Sequence, residues 1–225
     1  MNGRRCGTTL SAQAAERLPA YLQYLKQVHA EDVKLISSAK VAAHFELSEA
    51  QVRKDFAALC PSGGRPRSGF RVLDLLDGIE SYLGVHSTNE AAIAGVGGLG
   101  RALLSFAGFQ EYGLKISMAF DADPQKVGSV IGGVTIQAAD AMTGACRDAG
   151  LKIGIITVPA ERAQNVCDQM VECGIKAIWN FAPVHLVSPE GILIRNENLA
   201  ASLAILSKHL RDSMEYQNEE KTEGN

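Results

Sequence analysis

Three glycines at the spacing Gly-x-Gly-x-x-Gly stand in Gly95-Val96-Gly97-Gly98-Leu99-Gly100, and a carboxylate, Asp121, follows 21 residues after the last of them. In a turn of this kind the first glycine permits the tight bend and the second lets backbone N–H groups approach a diphosphate. The third allows the following helix to pack closely on a strand. A carboxylate at that distance accepts hydrogen bonds from a ribose and repels a phosphate on its 2′ oxygen, so the pattern selects NAD(H) over NADP(H). All six residues of the turn, with Asp121, Ala122 and Asp123, are candidate cofactor contacts. Thr157-Val158-Pro159 and Asn180-Phe181-Ala182 follow short apolar runs. They fall at the rim where open α/β sheets hold ligands, as candidate neighbours of a nicotinamide ring.

A second chemistry lies upstream. Residues 48–72 carry five bases (Arg53, Lys54, Arg65, Arg67 and Arg71) against two acids (Glu49 and Asp55). Residues 1–86 hold eleven Lys/Arg against nine Asp/Glu, although the whole chain has a formal net charge of -3. Basic side chains concentrated in one short segment suit a nucleic acid backbone.

The elements that position these residues can be read from periodicity. Over residues 11–29 apolar positions recur at steps of three and four, predicting a helix. Ser37 or Ser38 caps a short second helix running to about Phe45, with Val41, Ala42 and Phe45 facing inward. Ser48 and Gln51 have the spacing of a capping box for a third helix that runs to about Leu59. Two short helices joined by a tight turn form a helix-turn-helix. Val52, Phe56 and Leu59 give its second member a buried face, leaving Ser48, Gln51, Arg53, Lys54 and Asp55 toward solvent and a duplex. The Pro- and Gly-rich stretch 61–69 and the alternating Phe70-Arg71-Val72 predict a basic β-hairpin, a wing, whose Arg65, Arg67 and Arg71 reach a neighbouring minor groove. Leu73, Leu75, Leu76, Ile79, Tyr82 and Leu83 give a further helix stopped by Gly84.

Beyond a polar link at residues 86–89, strands are expected at 91–94, 115–120, 134–136, 153–157 and 177–180. Helices are expected at 101–107, 138–149 and 161–173. That alternation requires a parallel sheet. The fold class is therefore α/β: a winged-helix DNA-binding domain over residues 1–86, then a Rossmann NAD(H)-binding domain over 87–197. Leu199, Leu203, Leu206 and Leu210 place an apolar stripe on a last helix within 198–212, suited either to a dimer contact or to an intrachain core. Residues 213–225, polar and acidic, are expected to lack structure.

Composition excludes several classes. There is no apolar run long enough to span a bilayer and no signal peptide in the first eleven residues, so a cytoplasmic protein is expected. The five cysteines form no CxxC pair and no zinc spacing, which points to reduced thiols, with Cys60 in a surface loop. No metal is expected.

With both halves read, the chain resembles the Rex family of redox-sensing transcriptional repressors across residues 16–212. The resemblance rests on Gln51-Val52-Arg53-Lys54-Asp55, the glycine turn, Phe120-Asp121-Ala122-Asp123-Pro124 with Lys126-Val127-Gly128, Thr157-Val158-Pro159, and Gly174-Ile175-Lys176 through Asn180-Phe181-Ala182-Pro183. It implies a homodimer whose C-terminal helix packs on the partner subunit, and a double-stranded DNA operator released when NADH replaces NAD+ as effector. It implies no enzyme activity. The chain departs from the family pattern in its wing, which has lost aromatics and gained a residue, and at Phe106, Asn198 and Leu199, where the family couples cofactor to domain rotation.

Two alternatives come from other classes. An NAD-dependent oxidoreductase with an accessory helical domain needs a positioned acid at the nicotinamide. The nearest is His185, read as an ordinary loop histidine. A nucleotide-binding scaffold that meets protein in place of DNA is the other.

Overall fold

The computed structural model describes residues 10–60, 69–87 and 89–223, with side chains described as far as residue 214. The chain forms two compact units. Met1–Thr88 with Gly108–Gly113 makes the first, and Asn89–Ala107 with Leu114–Asn225 the second.

In the first unit α1 (Ala12–Ala30) starts where the Ser11 hydroxyl accepts from the Ala14 N–H, and it buries Leu18, Tyr21, Leu22 and Leu25. After β1 (Leu35–Ile36), Ser37 caps α2 (Ser38–His44) and Ser48 caps α3 (Glu49–Leu59). β2 (Phe70–Arg71) pairs antiparallel with β1 and leads into α4 (Val72–Leu83), which ends at Gly84 in the left-handed region with φ 71°. Every apolar stripe meets in one core around Leu25, Val52, Phe56, Leu75 and Ile79. A short 3-10 segment, Ala107–Tyr112, brings Tyr112 against the same core. β1 was not expected, because Leu35-Ile36 lies in a stretch that reads only as a link. Of the apolar residues that predict α4, Leu73 and Tyr82 are exposed and flank the inward face set by Leu75, Leu76 and Ile79. Cys60, expected in a surface loop, is buried at the end of α3 against that core. The wing residues 61–68, and with them Arg65 and Arg67, lie outside the described residues.

In the second unit β3 (Asn89–Ala94) runs into the glycine turn and α5 (Gly98–Leu104). β4 (Leu114–Asp121), β5 (Val130–Ile131) and β6 (Val134–Ala138) follow, and then a 3-10 turn leads to α6 (Met142–Asp148). The chain continues through β7 (Ile153–Ile156), α7 (Ala160–Glu172), β8 (Ala177–Asn180), β9 (Leu193–Asn196) and α8 (Leu199–Glu223). The sheet order is β5-β6-β4-β3-β7-β8-β9, parallel throughout except for β5, which pairs antiparallel with β6. The chain leaves β3 toward β4 on one side and returns at β7 on the other, so the β3/β7 boundary is the topological switch point where such sheets bind ligands.

Several elements differ from the sequence reading. β5 and β9 were not expected. α5 begins at the glycine turn and ends three residues short of Ala107, and Phe106 is exposed. α8 continues to Glu223 where structure was expected to stop at Asp212. Its later residues are mostly helix formers, and Lys208 pairs with Asp212 one turn on (2.6 Å). Leu199, Leu203, Leu206 and Leu210 are all exposed, so the stripe on α8 is not part of an intrachain core.

Candidate functional site

The glycine turn is tied to the ends of both neighbouring strands. The Gly95 N–H donates to the Phe120 carbonyl on β4 (2.8 Å), and the Thr157 hydroxyl beyond β7 donates to the Gly95 carbonyl (2.6 Å). Gly95 has φ 94°, a conformation that disfavours other residues. A Cβ on Gly100 would run into the Gly95 carbonyl oxygen, so that glycine is required by packing. Gly97 and Gly98 differ: a Cβ on either meets nothing within 4 Å. Internal packing therefore does not require glycine at these two positions, and the space outside them is a cradle that a side chain would fill.

Beside this turn lies a cleft of about 960 Å³. Ala94, Phe120, Met142, Val158 and Val166 supply apolar lining, and Asp121, Asp123, Lys126 and Asp140 line it with charge. Asp121 is itself buried. Its carboxylate accepts from the Val96 N–H (2.6 Å), the Asp123 N–H (2.9 Å) and the Lys126 ammonium (3.0 Å). Burial alone pushes this carboxyl up, but the hydrogen bonds from Asp123 and Val96 and the Lys126 charge outweigh it and hold the pKa below its ordinary value. The carboxylate thus stays ionised and clamps the glycine turn to the end of β4.

Of the predicted cofactor contacts, the structure brings Gly95, Gly97, Asp121, Ala122, Asp123, Thr157, Val158 and Pro159 together around the cleft. Val96, Gly98, Leu99 and Gly100 belong to the turn but do not line it. Asn180, Phe181 and Ala182 do not line it either. The Asn180 side chain is fully buried: its amide faces the carbonyls of Ala182 (3.2 Å) and Val184 (3.0 Å) and the Asn196 side chain on β9 (2.9 Å), and its oxygen accepts from the Ala182 N–H (3.0 Å). Its side chain organises a loop, a consequence of β9 lying alongside. Lys126, which enters the sequence reading only as part of a family motif, and Asp140, Arg162, Asn165 and Gln169, which do not stand out there, also line the cleft. For the last three the signal was present in the i, i+3, i+7 spacing of polar residues opposite the buried face Ala163, Cys167 and Met170 of α7. His185 is exposed and outside the cleft lining. Among the described residues no cluster of His, Cys, Asp or Glu could hold a metal ion.

In the first unit α3 presents Ser48, Arg53 and Lys54 to solvent, with Gln51 half-buried. Arg53 is paired along the helix with Glu49, which also accepts from the Ser38 hydroxyl of α2 (3.2 Å). Arg71, exposed on β2, pairs with Asp74 (3.4 Å). Asp55 corrects the sequence reading. Expected toward solvent, it is 4% exposed, held by the Arg17 guanidinium (2.7 Å) and the Tyr21 hydroxyl (3.2 Å) of α1. Burial, and then the Asp55 charge, push the Tyr21 hydroxyl up, so it remains protonated and donates.

The sequence pattern of the CoA binding domain family matches residues 86–184, and that of a putative DNA-binding protein N-terminus matches residues 9–57. A redox-sensing transcriptional repressor Rex of Porphyromonas gingivalis is 34% identical over 204 residues, covering 91% of this chain and 93% of that protein. Two solved structures share the fold along nearly the whole chain. RSP in complex with β-NAD+ and operator DNA has a TM-score of 0.84 at 30% identity, covering 94% of this chain and 97% of that one. RSP in complex with β-NADH has a TM-score of 0.82 at 31% identity, covering 94% and 99%.

Proposed function

The chain belongs to the Rex family of redox-sensing transcriptional repressors, and on that premise we propose that it is a DNA-binding repressor whose grip on an operator follows the NADH/NAD+ ratio, NADH weakening it. The observation that carries this reading is the cleft at the switch point, with open backbone at Gly97 and Gly98 and an ionised Asp121 beside it. The relative solved with NAD+ on operator DNA, and separately with NADH, supports the direction of the switch.

In this reading the backbone of the turn, from Gly95 through Val96, Gly97, Gly98, Leu99 and Gly100, receives the diphosphate, aided by N–H groups at the start of α5. Asp121 and Asp123 face the ribose, and their charge disfavours a 2′-phosphate. Thr157, Val158 and Pro159 shield the cleft from water. Asn180 holds in place the loop of Phe181 and Ala182, outside the cleft lining. The bound dinucleotide supplies a ring that is positively charged when oxidised and neutral when reduced. The residues around it must favour two arrangements of the dimer unequally for the signal to reach DNA.

At the other end α3 enters the major groove with Ser48, Gln51, Arg53 and Lys54, and Arg71, with Arg65 and Arg67, reaches a neighbouring minor groove. A second copy of the chain covers the exposed Leu199, Leu203, Leu206 and Leu210 of α8, giving the two-fold symmetry that paired half-sites need. Among the described residues no helix is long and apolar enough to cross a membrane, and an operator-binding role places the protein in the cytoplasm.

The test is selection of a duplex from a random pool, followed by anisotropy titrations with NADH, NAD+ and NADPH. NADH should weaken binding by about 5- to 150-fold, the usual range of allosteric coupling, and the other two should not. Equal affinity with NADH and NAD+ rejects the redox switch. Steady oxidation of NADH by a small carbonyl compound would favour a dehydrogenase.

A further inference from the structure

We infer that Arg17 is a positioning residue for operator recognition: by holding Asp55 it fixes the rotation of α3 about its own axis, and so which side chains of α3 meet base edges. This rests on the repressor reading above. One oxygen of the Asp55 carboxylate accepts from the Arg17 Nη2 (2.7 Å) and Nε (3.1 Å) and from the Tyr21 hydroxyl (3.2 Å). Three donors from α1 converge on a single atom of α3.

The apolar side chains of α3, Val52, Phe56 and Leu59, tolerate small rotations, because dispersion and burial are not directional. A guanidinium meeting a carboxylate is directional, and its planar fork fixes the angle of approach. Asp55 lies one helical turn after Gln51, so a rotation of α3 about its axis moves Gln51 across the base edges. At the start of the helix the Glu49 carboxylate accepts from Ser38 on α2, which ties the opposite end. A well-packed apolar pair of similar volume often holds two helices together as stably as an ion pair does, and here the Asp55 carboxylate is buried and Arg17 partly so. Keeping the ion pair is therefore better explained by geometry than by stability.

The decisive variant is the charge-neutral double replacement Arg17→Met with Asp55→Leu, made in the full-length chain. Net charge is unchanged, so binding to a scrambled duplex should stay within about twofold of the unaltered protein at the same salt. The ratio of affinities for the selected and scrambled duplexes should fall about tenfold, the scale of one side chain no longer in register with its base edge. Active fraction from stoichiometric titration, and NADH affinity, should be unchanged. A purely structural pair, replaced by apolar residues of similar volume, would leave both the active fraction and the ratio alone. A folded double variant with the original ratio overturns the inference. Should that variant fail to fold, Arg17→Lys decides, since it keeps the charge but cannot donate two bonds from a planar fork. A fall in the ratio supports the inference and an unchanged ratio overturns it. If the unaltered chain selects no duplex at all, the repressor reading fails, and this inference fails with it.

Discussion

Replacing Gly97 by alanine separates the two demands on a glycine in this turn. Gly97 has φ −79° and ψ −161°, an extended conformation open to any residue, and a Cβ there meets nothing within 4 Å. Alanine fits the ligand-free fold, and by narrowing the unfolded ensemble it should raise stability by about 0.4–1 kcal/mol. The same methyl group stands where backbone has to approach a diphosphate, so NAD(H) affinity should fall, and a hundredfold loss corresponds to about 2.7 kcal/mol. The two effects cross. Nucleotide at about 100 times its dissociation constant stabilises the unaltered protein by about 2.7 kcal/mol, whereas a variant bound a hundredfold more weakly gains only about 0.4 kcal/mol at the same concentration. Without nucleotide the variant should melt above its parent by about 1–4 °C, and with NADH near saturation of the parent it should melt below it. Melting curves at graded NADH concentrations test the crossing, and energy transfer from Trp179, the one tryptophan in the chain, to bound NADH gives the affinity directly. A variant that melts higher and still binds NADH like the parent would refute the placement of the diphosphate. One that melts lower without nucleotide would refute the open space at Gly97.

Gly100→Ala should behave oppositely in the absence of nucleotide: a methyl group driven at the Gly95 carbonyl should cost about 1–3 kcal/mol in urea unfolding. In acid, Asp121 is the group to follow. Its folded pKa lies below the ordinary carboxylate value, so its stabilisation is fully present above about pH 4 and is lost as pH falls through the folded value; urea titrations should show a slope there that Asp121→Asn removes. Lys54→Gln should weaken all duplexes alike and reduce the salt slope by about 1. Arg53→Gln should do less, because Arg53 is already paired with Glu49. Leu203→Glu with Leu206→Glu should turn a dimer into a monomer in sedimentation, with the helical content of the first unit unchanged; a dimer that persists argues against α8 as its interface.

The elements that follow from short-range pattern were legible in the sequence, and the failures share one physical origin. The caps at Ser37 and Ser48, the stop at Gly84 and the strand leading into the glycine turn all depend on residues within a few positions of one another. Asp55 and Asn180 do not. Each is polar, stands beside a functional motif and reads outward by its type, yet each is buried because its partners come from far along the chain: Arg17 and Tyr21 for Asp55, Asn196 for Asn180. β9, which brings Asn196 into place, is itself absent from the sequence reading. Leu193-Ile194-Arg195-Asn196 is exposed or half-buried along its length and shows no alternation, although the turn at Gly191 and the Ile192-Leu193-Ile194 run were a signal. The stripe on α8 is the converse case, since its periodicity was plain from sequence but its partner was not. Periodicity reports that a face needs covering, and charge reports that a group needs a counterpart. Which segment answers either need is set by the folded chain, so a polar residue at the margin of an apolar stripe is where a local reading is least secure and where a positioning role is most worth seeking.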